Sequence, residues 1–199
     1  MTFTKFHIFL LSVLVSLNVS GQNNNDSVFE RAVLYSFPLT ETIKNSKALL
    51  QDDGKPLRLF IFLSPECPLC KRYSPLLKEL HGQFEQNVEF YGVVPGKSYS
   101  VEEVKKYGIK NNLAFPLLID EDKKLSNYLQ ASATPEVILL NRNYEMIYKG
   151  AIDNLLVKLG KQRLKATENF LQEAISQSLA NHRVTVKRTK AIGCRINDY

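Results

Sequence analysis

A short aromatic run that ends in a cysteine pair constrains this chain more than any other feature. Leu57 to Leu63 reads Leu-Arg-Leu-Phe-Ile-Phe-Leu and is bounded by turn residues, the pattern of a buried strand. From Pro68 onward Leu69, Tyr73, Leu76, Leu77, Leu80 and Phe84 recur at three- and four-residue spacing, which predicts an amphipathic helix. Between the two lies Cys67-Pro-Leu-Cys70. Pro68 suits a first helical turn, where its missing N–H is no loss. Cys67 then sits at a helix N-terminus, where unpaired N–H groups and the positive dipole end favour a thiolate. A cysteine so placed titrates well below its free value and is a nucleophile near neutral pH, which makes Cys67 the expected more exposed, lower-pKa thiol. Cys70 follows one turn later, within disulfide reach. The pair reads as a redox dithiol with Cys67 and Cys70 as catalytic residues.

The alternative use of such a pair, a zinc site, needs four ligands, and His81 and His182 stand apart from any second pair. No metal and no cofactor is therefore expected. Residues 1–21 have the layout of a signal peptide: Lys5 and His7, then an apolar run from Ile8 to Val19, then Ser20-Gly21. The run is short for a membrane span, so no stable membrane anchor is expected after cleavage, and the protein is expected to be exported, to a periplasm or to the outside. An oxidising compartment suits disulfide chemistry. The formal charge of +6 is dispersed in pairs such as Lys105-Lys106, Lys123-Lys124 and Lys187-Arg188, which argues for solvated faces and against a nucleic-acid partner.

Further along, residues 22–35 read as a flexible lead and residues 36–50 as a lead-in to the turn Asp52-Asp53-Gly54-Lys55-Pro56. Strands are predicted over 87–94 and 115–120, and helical segments over 100–107 and 122–128. Ser100 and Glu103 form a capping-box pair at the start of the first of these helices. A hairpin is predicted from 136–140 and 145–151, a long helix over 164–182, and a tail over 183–199 with a β-like piece at Val184-Thr185-Val186. Strands separated by helices predict an α/β fold: a mixed sheet covered on both faces, with an antiparallel hairpin at one side.

In this order the landmarks Gly54-Lys55-Pro56, Cys67-Pro-Leu-Cys70, Phe115-Pro116-Leu117-Leu118-Ile119-Asp120 and Ala133-Thr134-Pro135-Glu136 resemble the thioredoxin superfamily, over roughly residues 57–181. The resemblance implies a thioredoxin-like domain over 36–182, with an extra strand–helix unit before the terminal hairpin, and a C-terminal tail at 183–199 carrying Cys194. It also implies a cis Thr134–Pro135 bond lying against the dithiol, whose backbone pairs with an extended substrate chain. Thr134 and Pro135 are thus the expected substrate-binding residues. Two departures stand out. Glu66 precedes Cys67 where thioredoxins carry tryptophan, and Phe60, Ile61 and Phe62 fill the stretch that holds the thioredoxin proton-acceptor aspartate.

Three further pieces, Ser64-Pro-Glu-Cys67-Pro, Tyr148-Lys-Gly150-Ala-Ile152-Asp153-Asn154 and Thr189-Lys-Ala-Ile-Gly193-Cys194, resemble exported redoxin-domain proteins related to peroxiredoxins. Ser64 fits the hydroxyl residue three before a peroxidatic cysteine. Phe60 replaces the expected proline, and no arginine beside the thiolate is assignable. The activity implied is a thiol–disulfide oxidoreductase acting on protein thiols and disulfides of the cell envelope, together with a redox partner of unknown identity. Its alternatives are a peroxiredoxin-like thiol peroxidase and a copper-binding thioredoxin-like protein. Cys194 is the odd cysteine. Gly193 permits a close backbone approach, and the tail is expected to return toward the dithiol and place Cys194 as a third redox thiol.

Overall fold

The computed structural model describes residues 27–196, so the signal-peptide reading and the first residues of the polar lead lie outside the described residues. The elements in chain order are α1 (Arg31–Leu34), β1 (Leu39–Glu41), β2 (Ser46–Ala48), β3 (Leu57–Phe62), α2 (Pro68–Phe84), β4 (Val88–Pro95), α3 (Val101–Lys110) and β5 (Leu117–Asp120). They continue with α4 (Lys124–Tyr128), β6 (Ala133–Thr134), β7 (Glu136–Leu140), β8 (Met146–Gly150), β9 (Leu156–Lys158), β10 (Lys161–Gln162), α5 (Phe170–Leu179) and β11 (Cys194–Arg195).

Seven strands form one mixed sheet in the order β2-β1-β5-β4-β3-β7-β8. The β3, β4 and β5 strands run parallel, joined by helical crossovers, while β7 and β8 form the antiparallel hairpin at one side. This is the thioredoxin-like mixed sheet. The alternation along β3 shows why both faces are covered. Leu57, Leu59, Ile61 and Leu63 pack with Cys70, Tyr73, Leu77 and Leu80 of α2 and with Leu171 and Ile175 of α5. Phe60 and Phe62 point to the other face, against Leu34, Leu125 and Leu129. Successive side chains of a strand alternate faces, so a run buried on every residue must be sandwiched. The capping box at α3 is present, with the Ser100 hydroxyl accepting from the Glu103 N–H and the Glu103 carboxylate accepting from the Ser100 N–H at 2.7 Å.

Four segments differ from expectation. Residues 27–35, read as part of a flexible lead, hold α1 and bury Phe29 and Leu34 against the sheet. The lead-in at 36–50 contains β1 and β2, which extend the sheet beyond β5 by antiparallel pairing. The long helix predicted over 164–182 is restricted to Phe170–Leu179. The reason is Asn154, whose side-chain oxygen accepts from the N–H groups of Thr167 at 2.9 Å and Glu168 at 3.3 Å and holds those residues out of the helix. Val184-Thr185-Val186 forms no strand. Its successors do pair with β8, through Lys149 N–H to Lys187 C=O at 2.9 Å and Thr189 N–H to Lys149 C=O at 3.0 Å.

No helix among the described residues is long and apolar enough to cross a membrane.

Candidate active site

The site forms at the C-terminal ends of β3 and β4, where open α/β sheets collect ligands. Cys67 is the N-cap of α2, with Pro68 in its first turn. Its Sγ lies 3.3 Å from the Thr134 carbonyl oxygen and 2.8 Å from Cys194 Sγ. Cys70 lies beneath, fully buried, its sulfur accepting from the Ser64 N–H at 3.4 Å. The Thr134–Pro135 bond is cis. None of the three cysteines is in a disulfide. The structure therefore brings Cys67, Cys70, Thr134, Pro135 and Cys194 into one cluster.

Their ionisation is asymmetric. Cys67 is pulled down from an ordinary value near 9 to about 4. The largest cause is a hydrogen bond from the Cys70 thiol. Burial opposes it, and the Cys194 thiol with the Leu69 and Cys70 N–H groups at the helix start adds further donors. Burial pushes Cys70 strongly upward, and the bond it gives Cys67 adds to this. Burial and the same kind of donation push Cys194 up to about 11. Cys67 is thus a thiolate held by two neutral thiols.

One expectation fails on exposure. Cys67, anticipated as the more exposed thiol, is only 2 % exposed, because the tail lies over it; Cys194 is the exposed cysteine. The tail forms β11, paired antiparallel with β6 so that Cys194 faces Thr134 and Arg195 faces Ala133. Beside this contact a cavity of about 330 Å3 reaches Cys67, lined by Ser64, Glu66, Tyr99, Lys123 and Arg195 among others. The Ser64 and Tyr99 hydroxyls are hydrogen-bonded at 3.0 Å. Sequence reasoning did not find Tyr99, Lys123 or Arg195. The available signal for Tyr99 was its place in the loop after β4, at the end of the sheet that carries the dithiol.

No group of three or more His, Cys, Asp or Glu side chains among the described residues is arranged to hold a metal ion. His81 packs its ring on Phe90 and Phe115, at centroid distances of 5.0 and 5.7 Å. Two buried carboxylates are engaged: Glu136, next to Pro135, accepts from the Ser132 N–H at 2.6 Å, and Asp153 from the Tyr73 hydroxyl at 2.5 Å.

Residues 31–150 match the model of the AhpC/TSA family. The chain belongs to the AhpC/TSA family. That membership and the sheet make it a redoxin-domain protein of the thioredoxin superfamily.

Among solved structures, an uncharacterized conserved protein from Geobacillus kaustophilus is similar at 24% identity and TM-score 0.74, covering 82% of this chain and 88% of that one. A hypothetical protein from Sinorhizobium meliloti is similar at 22% identity and TM-score 0.71, over 80% and 89%. A secreted disulfide oxidoreductase of Mycobacterium tuberculosis is similar at 18% identity and TM-score 0.52, over 76% and 99%. These likenesses show the fold. No curated protein matches the sequence.

Proposed function

We propose that this AhpC/TSA family member is an exported thiol–disulfide oxidoreductase that exchanges disulfides with envelope proteins through Cys67 and Cys70. The observation that carries this reading is the placement of the pair: Cys67 at the N-cap of α2 facing the Thr134 carbonyl, above the fully buried Cys70, an arrangement that lowers the first thiol and raises the second. Thiolate, not thiol, is the attacking species, so the roles divide by protonation alone. Cys67 attacks one sulfur of a partner disulfide; a Cys67–partner bond forms and the partner's other cysteine leaves as a thiolate. Cys70 then loses its proton and attacks Cys67 Sγ, which releases the partner reduced by two electrons and leaves Cys67–Cys70 oxidised. The reverse sequence oxidises a partner dithiol. Export and envelope partners are supported by the signal-peptide pattern of residues 1–21.

The test is the Cys70→Ser/Cys194→Ser double variant, which lacks both thiols that lie beside Cys67 and could resolve an adduct. Mixed disulfides between Cys67 and envelope proteins should accumulate and vanish on reduction. Absence of any such adduct from a folded variant overturns the reading.

A second reading, a thiol peroxidase, is favoured by the family match together with Ser64, whose hydroxyl bonds Tyr99 beside Cys67. Peroxide consumption coupled to a thiol donor, absent in Cys67→Ser, would establish it.

A further inference from the structure

Residues 187–196 are held at two points. Near Thr189 they are clamped to β8. The Thr189 hydroxyl lies 2.7 Å from the Tyr148 hydroxyl and accepts from the Ala151 N–H at 2.9 Å, and a Cβ at Gly150 would meet the Thr189 carbonyl oxygen at 2.3 Å. At the far end the chain runs antiparallel along Ser132–Thr134, with the Ile196 N–H donating to the Ser132 carbonyl at 3.1 Å. Gly193 touches this edge so closely that a Cβ there would lie 2.1 Å from the Thr134 carbonyl oxygen. That oxygen is the one facing Cys67 Sγ. An extended partner chain pairing beside the dithiol would need the same backbone edge.

We propose that Ile192–Arg195 is a tethered substrate strand, which occupies the edge at Thr134 that an extended partner would use and exchanges its Cys194 thiol with Cys67. This rests on the reading of Cys67 as the exchange cysteine and names what controls access to it.

In the oxidised protein the Cys194 thiolate attacks Cys67 Sγ. The Cys194–Cys67 bond forms, the Cys67–Cys70 bond breaks, and Cys70 takes up the proton that Cys194 gave up, so no electrons leave the chain. A partner's cysteine thiolate then attacks Cys67 Sγ. A partner–Cys67 bond replaces the Cys67–Cys194 bond, and Cys194 departs as a thiolate with its strand. Small disulfides have a separate route through the cavity beside Glu66 and Tyr99, which exists with the strand seated.

The experiment compares the full-length reduced protein with Gly193→Ala, which forces the strand off Thr134, and with Ile196→Pro, which removes the N–H bonded to Ser132. Two reagents are used: a small chromogenic aromatic disulfide, and an extended peptide carrying one cysteine activated as the same mixed disulfide. The peptide rate should rise about tenfold relative to the small-disulfide rate in both variants, equivalent to roughly 1.4 kcal/mol of competing strand pairing. After mild oxidation of the Cys70→Ser protein, non-reducing peptide mapping should find Cys67 joined to Cys194 within one chain. Unchanged relative peptide rates in both folded variants, or mapping without that crosslink, overturn the tethered strand. Cys67 inert toward both reagents in all three folded proteins would instead overturn the exchange reading beneath it.

Discussion

Cys67 is the residue on which protonation and reactivity meet. With its pKa near 4, alkylation of the reduced protein should proceed at a nearly constant rate from about pH 5 to 8 and fall only as the pH drops through 4. Mass mapping should place the first label on Cys67 and leave Cys70 unlabelled until the chain unfolds. A rate that climbs through pH 8 to 9 would contradict this assignment. Because the Cys70 thiol is the largest stabilising partner, Cys70→Ala should move the midpoint upward, and Cys70→Ser, which keeps a donor, should move it less.

The sign for stability follows from the same shift. The folded value lies below the ordinary value near 9, so the contribution of Cys67 to reduced-state stability is complete above 9 and is lost as pH falls through 4. Cys194, raised to about 11, acts only above 9 and does not cancel this window. Denaturant titration of the reduced protein against Cys67→Ser should show the difference growing between pH 4 and 9.

At the scale of elements, the glycine at the end of β8 combines a positive φ with a close backbone approach. Gly150 has φ +143, and a Cβ there would collide with Thr189 backbone at 2.3 Å. Gly150→Ala should therefore cost on the order of 2–4 kcal/mol, because strain and a lost clamp add. Chemical denaturation checks it; a loss under about 0.5 kcal/mol, the ordinary surface value, would show the clamp to be unimportant.

The elements that were legible in the sequence carry their cause locally. The β3 run, the proline-led start of α2, the Ser100 cap and the β7–β8 hairpin each depend on neighbours within a few residues. The elements that were missed depend on distant ones. Leu39-Thr40-Glu41 is too short to show a period, and its pairing with Leu118 and Ile119 is tertiary. Spacing starts a helix at Leu164, yet Leu164 is fully exposed, and Asn154 claims the backbone that would continue the turn. At the site, the dithiol, Thr134-Pro135 and Cys194 were readable from motif order, whereas Tyr99, Lys123 and Arg195 reach the cavity only through folding.

The molecule as a whole has two charged or reactive ends with different jobs. At the N-terminal end of β3, Arg58 is 2 % exposed and is bonded to Asp52 at 2.5 Å and to Tyr35 at 2.8 Å, with Glu89 3.4 Å away and the Tyr144 ring below it. Removing the cation would leave buried Glu89 uncompensated, so Arg58→Ala should destabilise by about 3–5 kcal/mol. Cys67, at the other end of the same strand region, should keep its alkylation rate per folded molecule. A changed rate would show that the two ends are coupled.

The clamp at Thr189 has one more effect. The outer strands of the sheet are β2, only three residues long with Lys47 paired to Glu121, and β8, whose free edge is covered by Lys187–Thr189. An uncovered edge presents unpaired N–H and C=O groups that invite other chains. Thr189→Val removes the hydroxyl bonds to Tyr148 and Ala151 and loosens that cover, whereas Gly193→Ala frees only the distal end. On mild heating the first variant should scatter light at lower temperature than the second, making the same segment a guard against aggregation.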